Sequence, residues 1–245
     1  MAIFTDGFES GDFSAWDGTG AEPGCSIVVE AVNPHHGTKN AKCIVDGASE
    51  NAYAYKGFAG ADDIAYARGY FKFDDLPDAD GDKIQLIEIR RSDRFWEYAI
   101  QGCIKHTGGS VKFVLTCWEA GVLSTVASDL EAVTGTWYCV EIKRDITNDL
   151  QELWVDGVSE ATNNQVQSEN NGSILVGLTW KTYGGTDTLY CDCFSVDSAY
   201  IGPEAAGGPT VKKGSNLAST MTEMLNSKML FSIANRFPKL SPRRF

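Results

Sequence analysis

The sequence of 245 residues predicts an all-β chain, an antiparallel two-sheet jelly-roll sandwich, ending in a short α-helical tail. Three observations carry this. Short runs rich in Val, Ile, Phe, Tyr and Trp recur from residue 25 to residue 202, the side chains that suit a pleated, half-buried surface. Clusters of Gly, Asn and Asp separate them, as turns require. No stretch of that region has a convincing helical period, so nothing supplies the crossover helices of a parallel sheet.

In chain order the runs are CSIVVEAV (25–32), AKCIVD (41–46), IAYARGYFKF (64–73), KIQLIEIR (83–90), FWEYAIQGCI (95–104) and SVKFVLTCW (110–118). They continue with GVLSTVA (121–127), TWYCVEIKRD (136–145), QELWVDG (151–157), SILVGLTW (173–180) and TLYCDCFSVDSAYIG (188–202). HTGGS (106–110) reads as a hairpin connection, with His106 in the turn. DLPDADGD (75–82) is a longer acidic loop. The seven cysteines are scattered without a CxxC and read as reduced, buried thiols. Strand alternation places both sulfurs of Cys191 and Cys193 on one face.

Composition changes at Pro203. Residues 1–202 carry a net charge of −17 and residues 203–245 a net charge of +5. An acidic body repels nucleic acid and anionic membranes. GPEAAGGPTVKKGSN offers few side chains to bury, so 204–216 reads as a linker between a sandwich domain (2–203) and a tail (217–245). In the tail Leu217, Met221, Met224, Leu225, Met229 and Ile233 fall mainly at helical spacing, and Pro238 stops the pattern. A Met-rich amphipathic helix suits adaptable docking. These residues, with Arg236, are the expected contacts to assembly proteins or to further copies of the chain.

The first charged residue is Asp6 and the first basic one Lys39. The start therefore lacks the basic and apolar regions of a secretory leader. No run approaches the ~18 apolar residues of a membrane span. Synthesis without a removable signal is expected.

Five stretches in order, GFESGDFSAW (7–16), HHGTKNAKC (35–43), YARGYFKFDDLP (66–77), GTWYCVEIKRD…QELWVDG (135–157) and YCDCFSVDSAYIGP (190–203), resemble the successive strands of concanavalin A-like, laminin-G-like jelly rolls. The resemblance spans residues 4 to about 203 and leaves the tail without a counterpart. It implies a module of the kind found among glycan-binding domains, polysaccharide hydrolases and lyases, and tailed-phage virion proteins. It also implies structural Ca²⁺ joining an N-terminal acid to one on the closing strand, by position Glu9 and Asp192.

Three functions follow as expectations. The first is a non-catalytic decoration protein on a phage-like virion surface, anchored through its tail. The second is a carbohydrate-binding module, virion-borne or otherwise extracellular. Here alternation puts Tyr66, Arg68, Tyr70 and Lys72 on one strand face, with Glu88 and Arg90 lining the same polar surface from a second strand. Stacking and charge-assisted hydrogen bonds there suit an acidic glycan. The third is a polysaccharide lyase. A glycoside hydrolase is disfavoured, since no compact strand of paired carboxylates is present.

Overall fold

Alternation along each strand makes two hydrophobic faces, and these close on each other as two antiparallel sheets. The computed structural model describes residues 2–57, 63–92, 98–119 and 121–204. No helix among them is long and apolar enough to cross a membrane. The tail residues Leu217, Met221, Met224, Leu225, Met229, Ile233 and Arg236 lie outside the described residues, as does the linker from residue 205 onward.

Fifteen strands are present among the described residues. They are β1 (Phe4–Asp6), β2 (Gly18–Ala21), β3 (Ser26–Glu30), β4 (Asn40–Asp46), β5 (Ala52–Gly57), β6 (Ile64–Phe73), β7 (Lys83–Arg91) and β8 (Tyr98–Thr107). There follow β9 (Ser110–Glu119), β10 (Val122–Glu131), β11 (Trp137–Asp145), β12 (Leu150–Val155), β13 (Val158–Asn163), β14 (Asn171–Lys181) and β15 (Thr186–Asp197). One sheet runs β13-β12-β11-β6-β15-β4-β3, with β1 also paired to β15. The other runs β10-β9-β8-β7-β14-β5-β2. Every run read from the sequence overlaps a strand over its described residues. The short strands β1, β2, β5 and β13 are additional.

The interior is continuous. Ala65, Ala67, Phe71 and Phe73 of β6, Val140 and Ile142 of β11, and Phe194 and Val196 of β15 face Ile87 and Ile89 of β7, Phe113 and Leu115 of β9, and Ile174 and Val176 of β14. Gly102 of β8 sets the spacing at the centre. A Cβ there would sit 2.9 Å from Ile87 Cγ2 and 3.1 Å from Ile142 Cγ2 of the opposite sheet.

The chain's first segment seals one end of this core. Phe4 to Asp6 pair with Phe194 to Val196. Behind them the Trp16 ring stacks on Phe8 (6.1 Å) and packs against Phe4 (4.9 Å) and Phe194 (5.2 Å). Its indole Nε1–H donates to Asp6 Oδ2 at 2.6 Å. Trp16→Ala therefore opens a large cavity and orphans a carboxylate oxygen. It is expected to cost about 3–5 kcal/mol of unfolding free energy by urea titration, the range for large-to-small aromatic changes in a core, and clearly more than Phe13→Ala at the partly buried rim of the same cluster.

Candidate functional site

Two outer faces are available to a ligand, and they differ in what covers them. On the seven-stranded sheet a cleft of about 480 Å³ is lined by Asn51, Tyr53, Lys83, Gln85, Glu88, Arg90, Gln101, Thr179 and Trp180. Two irregularities in strand pairing build it. In β7, Gln85 opposes Cys103 and Ile87 opposes Gly102, so Leu86 is an extra residue. Gln85 and Glu88, three apart in sequence, thereby share the outer face. In β14, Val176 opposes Ile87 while Trp180 opposes Gln85, which aims both Thr179 and Trp180 at the cleft. Bulges of this kind re-aim side chains beside functional sites.

The floor is a polar network. Glu88, 1% exposed, accepts from Arg90 Nε at 2.9 Å and from Gln101 Nε2 at 3.3 Å. The same Gln101 nitrogen donates to Gln85 Oε1 at 2.9 Å. A buried carboxylate is tolerable only with such partners. Thr179 Oγ1 is buried and has no hydrogen-bond partner among the described residues. Cys103 lies beside Gln101 on this face, and burial pushes its thiol up to about 11, so it stays protonated at neutral pH. The lining holds one carboxylate, so the pair needed for glycoside hydrolysis is missing from it.

The other outer face carries the tyrosine, arginine and lysine row of β6. Alternation does place Tyr66, Arg68, Tyr70 and Lys72 together, but the face is closed over. The Arg68 guanidinium donates to the carbonyls of Gly202 (3.1 Å) and Cys193 (2.9 Å). Glu141 accepts the N–H groups of Ile201 (2.9 Å) and Gly202 (2.8 Å), strapping the chain past β15 across the sheet. The His35 ring stacks on Tyr70 at 3.7 Å. Lys72 Nζ sits 4.3 Å from the Tyr190 ring centroid and 5.2 Å from that of Trp137. Tyr66 packs with Trp154 (6.0 Å) and Tyr200 (6.4 Å). Glu88 and Arg90 belong to the opposite sheet, so the six residues do not form one surface. The chain crosses between sheets from β6 to β7 instead of turning back in a hairpin.

Two smaller expectations are also corrected. Cys191 points into the core and Cys193 to the outer face, because Asp192 opposes Tyr70 while Ser195 opposes Arg68. The extra residue in that bulge, with Cys193 in the left-handed region at φ 48°, breaks the alternation. His106 is the next-to-last residue of strand β8, 3.0 Å from Asp80 Oδ1, and the turn itself is Gly108–Gly109.

The two acids expected to hold calcium both grip residues 35–39. Glu9 accepts from Thr38 N (2.8 Å), Thr38 Oγ1 (2.7 Å) and Lys39 N (3.0 Å), contacts that hold its carboxyl below the usual range. Asp192 accepts from His35 N (2.8 Å), His36 N (3.0 Å) and Cys193 N (2.7 Å). Calcium is bound by six to eight oxygen ligands. Here each carboxylate oxygen meets N–H or O–H donors, so these residues do not fit an ion shared between them.

No family model matches this chain, and no curated protein matches it in sequence. Similar solved structures exist. "Cellulose induced protein, Cip1" matches at TM-score 0.61 and 16% identity, covering 82% of this chain and 99% of that one. An endo-β-1,4-glucuronan lyase from the fungus Trichoderma reesei matches at TM-score 0.57 and 14% identity, covering 81% and 96%. The fold is a concanavalin A-like jelly roll.

Burial raises the Asp192 carboxyl to about 6, against the three N–H bonds that lower it. The unfolded chain releases this proton near ~4. Between those values the native state holds a proton that the unfolded chain lacks, so this group's contribution to stability is full below pH ~4 and lost as pH rises through ~6. Compared with Asp192→Asn, the native chain should lose about 2–3 kcal/mol of unfolding free energy on going from pH 4 to pH 7. Urea titrations of both proteins across that range measure the difference.

Proposed function

We propose that this chain binds polysaccharide in the cleft on its seven-stranded sheet. The observation that carries the reading is the lining itself: amides, a hydroxyl, an Arg–Glu pair and two aromatic side chains around one opening. Sugars present both hydroxyls and apolar C–H faces. Planar amides and charged groups bond the hydroxyls, while Trp180 and Tyr53 offer rings to the C–H faces. The unsatisfied Thr179 hydroxyl adds a buried group that a ligand hydroxyl would complete.

Lys83 and Arg90 outnumber Glu88 in the lining, a local positive balance in a strongly acidic body. An acidic polymer is therefore preferred over a neutral one. Two fold neighbours support this choice of probe, since one is named for glucuronan and another, AlyC3 (TM-score 0.50, 7% identity, covering 64% of this chain and 74% of that one), for alginate. The decoration role expected from the tail rests on residues beyond the described region, and the cleft favours the glycan-binding alternative.

Elimination on an acidic sugar would need a cation to neutralise its carboxylate and a group to take the neighbouring proton. Lys83 or Arg90 can serve the first need. Of the lining side chains outside the Glu88 network, Tyr53 and Lys83 could move a proton, and neither sits in a network among the described residues that fixes it as a base. Binding without turnover is the reading adopted.

Titration calorimetry against glucuronan, alginate and a neutral glucomannan tests it. Binding to an acidic polymer, weakened tenfold or more in Arg90→Ala and Gln101→Ala and weakened by added salt, is expected. Equal affinity for the neutral polymer would remove the charge argument, and no binding at all would remove the site. Unsaturated sugar products from either acidic polymer would make the cleft catalytic.

A further inference from the structure

The edge of the seven-stranded sheet beside the cleft has an unusual construction. Strand β2 reads GTGA, and both of its glycines face tyrosines of β5: Gly18 opposes Tyr55 and Gly20 opposes Tyr53. A Cβ on Gly18 would lie 2.7–2.9 Å from Oη, Cε1 and Cζ of Tyr55. A Cβ on Gly20 would lie 2.6–2.9 Å from the same three atoms of Tyr53. Both ring tips thus lean across the edge strand into the space that side chains would otherwise fill. Neither glycine has left-handed backbone, so their role is to make room and not to turn the chain.

The edge is also pinned. Asp17, just before β2, takes Lys56 Nζ at 2.7 Å and the Gly57 N–H at 2.8 Å from the end of β5. Both tyrosines remain partly exposed in this arrangement. The packing interior lies on the other face of β5, where Ala52 and Ala54 are fully buried. Two rings on alternate residues of one strand lie about 7 Å apart. Tyr53 lines the cleft, and Tyr55 continues the row beyond it.

We propose that Tyr53 and Tyr55, laid over the glycine strand, form a stacking platform that extends the cleft to further sugar units of a bound polysaccharide. The inference rests on the cleft reading and adds a direction to it: the polymer leaves the Arg90–Gln101 floor past Tyr53 along β5. Tyr55 stacks on a sugar face, and Gly18 is a positioning residue that lets the ring lie down. Aromatic stacking of this sort tolerates different sugars, because any pyranose has a C–H face. The platform therefore contributes affinity through ligand length, while the cleft discriminates charge.

Calorimetry with a glucuronan disaccharide and longer glucuronan oligosaccharides tests this, using the full chain. Tyr55→Ala is expected to weaken the longer ligands about tenfold and leave the disaccharide unchanged, whereas Arg90→Ala weakens both. Gly18→Ala should weaken the longer ligands in the native background and have no further effect in Tyr55→Ala, the non-additivity of a residue that acts through its neighbour. Thermal melts of each variant confirm folding, and if Gly18→Ala does not fold, the Tyr55→Ala length dependence decides. An unchanged affinity of Tyr55→Ala for the longer ligands overturns the platform and leaves the cleft standing. Failure of the unsubstituted chain to bind any of these ligands overturns both.

Discussion

The sandwich depends on one strand keeping two partners on the same edge. Along one side β15 pairs with β6 over most of its length. On its other side β4 occupies Thr186 to Cys191, and β1 takes over at Phe194 to Val196. The handover happens across the bulge at Asp192 and Cys193, where the ladder would otherwise leave N–H groups of the 35–36 turn without acceptors. Asp192 fills that gap, accepting from His35 and His36. The bulge also keeps Phe194 inward, where it meets Trp16 and Phe4. The beginning and end of the domain are thus joined by a backbone irregularity and one buried carboxylate, and the aromatic cap packs because that join is in place.

The same join decides which outer face is free. Once the 35–36 turn and the 200–202 segment are drawn over the eight-stranded sheet, Arg68, Tyr70 and Lys72 become covered, each at most 7% exposed. The Arg68 charge is met by carbonyls and the Lys72 charge by ring faces. A charged residue so engaged gains little from a ligand, since its desolvation is already compensated. The seven-stranded sheet has no such strap among the described residues at the cleft, and its polar side chains still face an opening.

How much of this was legible in the sequence follows from the range of each interaction. Strand existence is local, and IAYARGYFKF or SVKFVLTCW announce it through composition. The strands overlooked are those without that composition. GTGA is half glycine, and VSEATN is a short polar edge. AYAYKG does alternate, and its period of two was available to be read. The face shared by Tyr66, Arg68, Tyr70 and Lys72 is equally local and was recovered. Its burial depends on residues distant in sequence, from His35 over Tyr70 to Gly202 on Arg68, for which no local signal exists. Glu88 and Arg90 do line an opening, but on the other sheet from Tyr66, Arg68, Tyr70 and Lys72, because the chain crosses between sheets from β6 to β7.

Gln85, Thr179 and Trp180 reach the cleft for one shared reason that alternation hides. A strict period of two along β7 separates Gln85 from Glu88, and along β14 it separates Thr179 from Trp180. The two irregularities that bring each pair to one face lie opposite each other, between the Gln85–Trp180 and Ile87–Val176 pairings. Such a facing pair of bulges gains nothing in ladder hydrogen bonds and leaves Thr179 without a partner. It does gather amides, a carboxylate, a guanidinium and an indole around one opening. Gly177, at φ 124° with Ala52 O only 2.7 Å from where its Cβ would be, is the residue that permits the detour. A fold selected for stability alone would keep the ladder regular here, and irregularities of this kind are over-represented beside functional sites.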